Sequence, residues 1–168
     1  MSEQVELPDR SDSQAWLSAQ AAALRRVAAL RPNLPIAIDW EGIAEELEAV
    51  AAAERNELKS RLLVLCEHLA KLAYVPMIDP RNGWRRTVRE QRDRIGFLFE
   101  ESPSLRRRVP EELEKLWVKA RREVLAHYKI RDLPTRCPWR IEDLLDEDWW
   151  PPEPAELRGE PEAVLAAD

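Results

Sequence analysis

Apolar positions recur along this chain at helical spacing and almost never alternate with polar ones, so the pattern predicts helices and gives little support for strands. Behind the cap candidates Ser11, Asp12 and Ser13, one face collects Trp16/Leu17, Gln20/Ala21, Leu24 and Val27/Ala28. That first helix is expected to end before Arg31-Pro32-Asn33-Leu34-Pro35. A second opens at Asp39, a good N-cap, with Glu41 in its first turn, and meets no breaker before Val75-Pro76. At about 36 residues it would span roughly 54 Å. Its early half repeats Trp40, Ile43, Leu47 and Val50; its late half repeats Leu58, Leu62, Leu65, Leu69 and Leu72. The two stripes are out of phase around Ala51 to Ala53, which predicts either a drifting stripe or a bend near Ala53.

A third helix is expected after Asn82, with Trp84, Val88, Gln91, Ile95 and Leu98 facing the core, stopping at Glu101-Ser102. The fourth starts at Ser102-Pro103, a cap followed by a favoured first helical residue, and carries Leu105, Val109, Leu113, Leu116, Ala120, Val124 and Tyr128. Pro110 interrupts it and predicts a kink, or a short helix joined to a longer one. Beyond Leu133-Pro134 one short helix is expected near Ile141 to Asp146, and proline and acids from Trp149-Trp150-Pro151 onward read as a loose tail. The expected architecture is therefore all-α, a single-domain helical bundle of about four main helices around one long central helix, with a short C-terminal helix. Its bounds are a flexible N-terminal tail over 1–11, the helical domain over 12–150 and a Pro/Glu-rich tail over 151–168.

Composition changes this picture mainly at the surface. With 168 residues and 45% apolar content the chain suits one ordinary domain, while a charged fraction of 35% exceeds the usual quarter. Neither a basic-then-apolar leader nor a run of 18 apolar residues occurs, so export and membrane spanning are not expected, and a cytoplasmic setting fits. Cys66 and Cys137 are far apart in sequence and lack a C-x-x-C partner, which suits a reducing compartment. The net charge of −6 is unevenly spread: residues 81–108 carry nine Arg against four acids, and residues 132–168 carry three Arg against eleven. An acidic whole argues against general nucleic-acid binding without excluding a local anion site.

Strict spacings rule out several chemistries. Gly42, Gly83, Gly96 and Gly159 are scattered, so neither a phosphate-binding P-loop nor a dinucleotide fingerprint exists. There is no G-x-S-x-G elbow, and only His68 and His127 are available as imidazole bases. A di-iron bundle needs Glu three residues before its histidines, where this chain has Leu65 and Val124. No metal, cofactor or catalytic residue is expected.

An ordered set of segments carries a resemblance. Glu45-Glu46-Leu47-Glu48, Glu54 through Leu62, Glu67-His68-Leu69-Ala70-Lys71 and Trp84 through Arg92 are followed by Ser102-Pro103-Ser104-Leu105-Arg106-Arg107, Ala120-Arg121 and Cys137-Pro138-Trp139. Together they resemble the bacterial domain of unknown function 29 family across roughly residues 12–151. The resemblance implies an all-α fold and brings no catalytic residue with it. Pro110 and the alanines at 51 to 53 depart from the family's pattern.

The candidate binding residues are Arg85, Arg89, Arg92, Glu54, Arg61, His68, Trp149 and Trp150. Arg85, Arg89 and Arg92 recur at i, i+4 and i+7, a row suited to holding phosphate or carboxylate, or else to pairing with Glu45, Glu46, Glu48, Glu54 and Glu57 of the long helix. The ion-pair reading is the default for them, as it is for Glu54, Glu57 and Arg61. His68 beside the leucine stripe is either a base or, by default, a partly buried structural histidine. Cys66 reads as a core residue. Trp149 and Trp150 dock on their own domain or on a partner. The leading function is a non-enzymatic module for a protein partner or self-association, using a groove on the bent long helix or the Trp149-Trp150-Pro151 segment. The alternative is a nucleic-acid or other anion binder using the arginine row.

Overall fold

Two aspartates set where the chain becomes helical. In the computed structural model, which describes residues 8–30, 38–130 and 132–158, Asp12 Oδ1 accepts the backbone N–H of Ala15 at 3.0 Å. Asp39 Oδ1 accepts that of Gly42 at 2.9 Å. Each satisfies a first-turn donor that the helix leaves unpaired. A Cβ at position 42 would collide with the Asp39 carboxylate, so glycine lets this cap close. α1 (Ser13–Leu30) and α2 (Trp40–Tyr74) follow these caps. Then come α3 (Arg81–Glu101), a 3-10 helix over Pro103–Arg108, α4 (Val109–His127), and the short α5 (Ile141–Leu145) and α6 (Ala155–Arg158). The chain is all-α, with no strand among the described residues. The expected break at Arg31 to Pro35, and the ends over 1–7 and 159–168, lie outside the described residues.

α2 is one helix of 35 residues, but its buried stripe differs from the expected one. Ala44, Ala51, Leu58, Leu65 and Leu72 are all at most 2% exposed, an uninterrupted seven-residue repeat. Ile43 and Val50, the larger residues of the expected early stripe, are 44% and 50% exposed. The inward positions of the early half therefore hold alanine, in phase with the leucines of the late half.

Pro110 is the second residue of α4. The first turn makes no use of its missing N–H, so the proline starts this helix instead of kinking it. The chain therefore takes the form of a short helix followed by a longer one.

Contacts group the chain into two compact units. The first, Met1–Lys59 with Gly96–Arg108, has a core in which Ala21, Ala44 and Ala51 accompany Leu58, Phe99 and Leu105. In it Asp12 also takes the N–H and hydroxyl of Ser104 at 2.6 and 2.8 Å, tying the start of α1 to the 3-10 helix. Arg25 of α1 reaches both Glu41 (2.7 Å) and Glu48 of α2, and its hydrogen bond holds the Glu48 carboxyl below its ordinary pKa. The second unit, Ser60–Ile95 with Val109–Asp168, holds the leucine-rich half of α2, with Trp117 completely buried. Trp117 Nε1 donates to the Pro134 carbonyl at 3.0 Å and Arg121 Nε to the Leu133 carbonyl at 3.0 Å, so α4 holds the chain that follows it.

Candidate functional site

The arginine row of α3 lies within the second unit, and its partners come from the C-terminal segment. Helical spacing puts Arg85, Arg89 and Arg92 along one side of α3, and the indole of Trp150 lies among all three. Their guanidinium carbons are 5.9, 5.4 and 5.2 Å from the ring centroid, within cation–π range. Glu153 accepts from Arg85 at 3.0 Å and from Arg81 at 3.3 Å. Arg81, which is 7% exposed, also donates to the Leu72 carbonyl at 2.9 Å, one of those that the end of α2 leaves without an intrahelical partner.

Arg92 is the most buried of the row. It is 4% exposed and belongs to the buried stripe, with Trp84, Val88, Gln91, Ile95 and Phe99. Its Nε donates to the Leu144 carbonyl at 2.9 Å, and its terminal nitrogens lie 3.4 Å from the carbonyls of Asp143 and Glu147. These are oxygens at and just beyond the C-terminus of α5, where the helix dipole is negative, so the guanidinium caps that helix. Burial lowers its pKa, and Asp146 and Glu147 oppose that shift.

The remaining candidates separate. Trp149 packs on Trp139, ring centroids 6.0 Å apart, and Trp139 meets Trp117 edge-on at 5.3 Å. The Trp149-Trp150-Pro151 segment is thus docked on its own chain: both rings are partly covered and Pro151 is buried. Pro154 is buried too, and α6 follows it, within the segment expected to be loose. Arg61 donates to Gln91 at 3.4 Å. His68 Nδ1 lies 2.9 Å from the Val64 carbonyl of its own helix, and burial lowers its pKa. With its Nδ1 committed to the i−4 carbonyl, His68 has the contacts of a structural histidine. Cys66 is completely buried, which raises its thiol pKa and keeps it protonated. Glu54 belongs to the first unit, accepting from Ser13 at 2.7 Å and from Ser102 at 2.6 Å, while Ser102 accepts the N–H of Gln14 at 3.0 Å. It brackets α1 to the end of α3.

The default pairing of the arginine row with acids of α2 is replaced by pairing with Trp150, Glu153 and backbone carbonyls. Sequence reasoning did not single out Glu153. The charge asymmetry between residues 81–108 and 132–168 was the available clue. No group of three potential metal ligands occurs among the described residues.

Fold and side-chain geometry together define a helical scaffold whose strongest polar cluster ties down its own C-terminal segment. The chain belongs to the family described as domain of unknown function DUF29, which matches residues 10–150. It is similar to an α-helical protein of unknown function from Rhodospirillum rubrum, solved as a crystal structure, with a TM-score of 0.72 and 26% identity over 86% of this chain and 93% of that one. No curated protein matches the sequence.

Proposed function

We propose that this protein is a non-enzymatic interaction module that receives a basic amphipathic helix from a protein partner on the early half of α2. One observation carries the reading. Ile43 and Val50 are 44% and 50% exposed, and with Leu47 between them they form an i, i+4, i+7 apolar stripe of the kind that accepts a partner helix. A shallow cleft of about 380 Å³ lined by Asp39, Gly42, Ile43, Glu46 and Leu47 opens at its start. Exposed Glu45 and Glu46 flank the stripe, so the complementary partner is apolar along one face and basic beside it. The arginine row supports the alternative, anion-binding reading less well, because its guanidiniums are engaged by Trp150, Glu153 and carbonyls. A cytoplasmic setting is part of the proposal. Among the described residues no helix is long and apolar enough to cross a membrane, and both cysteines are free, as reducing surroundings keep them.

The test is a titration of the isotopically labelled protein with a designed Leu/Lys amphipathic helical peptide. Shifts should gather at Ile43, Leu47 and Val50 and disappear in Ile43→Glu/Val50→Glu, with helicity unchanged because both positions face solvent. Equal binding of a Leu/Glu peptide of the same pattern, or shifts unaffected by the double substitution, would overturn the proposal.

A further inference from the structure

Within the second unit a separate cleft of about 560 Å³ opens beside the end of α2, a volume inside the roughly 300–1,000 Å³ range of small-molecule sites. We infer that it is a binding site for a small organic cation carrying an ammonium or guanidinium group, held against Tyr74 and Trp139. These two half-buried rings stand with centroids 6.4 Å apart and planes inclined by 35°, an open aromatic corner. Trp139 is fixed from behind by edge-on contacts with Trp117 at 5.3 Å and Trp149 at 6.0 Å, so its ring is in place before any ligand arrives and little ordering cost remains. Burial raises the pKa of the Tyr74 phenol, and the ring remains neutral at physiological pH.

Charge selects the class of ligand. The lining contains Asp132, Glu153 and Glu156 against the single base Lys129. Glu153 is committed to Arg81 and Arg85, which leaves two exposed carboxylates facing one ammonium. An anion would meet these acids and two electron-rich rings. A neutral apolar ligand would gain the rings and leave the carboxylates unused. A cation with a diffuse charge satisfies both, because the ring quadrupole and the carboxylates attract the same sign. The site shares no residue with the α2 stripe and is independent of the function proposed above.

The deciding experiment follows the Trp139 indole N–H in the full chain by two-dimensional NMR, with its resonance identified by its loss in Trp139→Phe. The probes are tetramethylammonium, N-acetyl-arginine methylamide and the neutral N-acetyl-citrulline methylamide. The expected result is a saturable shift with a Kd on the order of millimolar for at least one cation, and binding of the citrulline compound weaker by about fivefold or more. Asp132→Asn/Glu156→Gln alters only exposed positions and should weaken cation binding about threefold or more without changing the fold. Comparing the two cations separates alkylammonium from guanidinium preference. The inference is overturned if no cation saturates the shift, if the citrulline compound binds as well as the tighter of the two cations, if sodium chloride at equal concentration reproduces the shift, or if the double substitution leaves affinity unchanged.

Discussion

Arg92 occupies a position that helical periodicity assigns to an apolar side chain, and it is tolerated there because the carbonyls of Asp143, Leu144 and Glu147 supply acceptors in place of water. Replacing it with methionine preserves the volume roughly but leaves those oxygens without their buried donor. Arg92→Met should therefore lower stability by about 2–4 kcal/mol, read from the urea midpoint at an unchanged slope; a loss much below 1 kcal/mol would show that the carbonyls find other partners. His68 makes a prediction about pH. Burial lowers its folded pKa below the ordinary 6.5, so between that folded value and 6.5 the unfolded chain binds more protons and stability rises with pH. Its contribution is complete above about pH 6.5 and is lost as pH falls toward the folded value. In His68→Gln the stability curve should be flatter across that window, and a curve matching the wild type would assign the dependence to other groups.

At the scale of elements, α2 shows why large apolar residues are a poor guide to which face is buried. Ala44 and Ala51 are at 0% exposure while Ile43 and Val50 are 44% and 50% exposed, because the inward positions of the seven-residue repeat fall on the alanines. Ala51→Leu adds three carbons where no space is left and should cost about 1–3 kcal/mol, whereas Val50→Leu, one position away, should leave the thermal midpoint within a degree or so. If both changes were neutral, the alanine repeat would not be a packing seam. The start of α4 carries the complementary lesson: Pro110 was visible as an interruption, but only the position of Val109 as the first helical residue shows that it costs no hydrogen bond.

For the molecule as a whole, the basic middle and the acidic end of the sequence meet in one cluster, where Trp150 lies among three arginines and Glu153 bridges two. Trp150→Ala/Glu153→Ala should free the segment after α5, with faster cleavage by a glutamate-specific protease at Glu147 and Glu156 and a stability loss of about 1–2 kcal/mol. Unchanged protection would mean that Pro151, Pro154 and α6 hold the segment without these contacts. The all-α class, the starts of α1 and α2, the Asp39 cap and the α4 stripe were legible in the sequence, because each depends on neighbours within a turn or two along the chain. Tertiary structure decided which face of the early α2 is inward, that Arg92 is a buried helix cap, and that Trp149 and Trp150 are docked. Those outcomes depend on groups farther apart than a helical turn or two, from ten positions for Trp149 on Trp139 to more than fifty for Arg92 and its carbonyls, and a period read along the sequence does not record them.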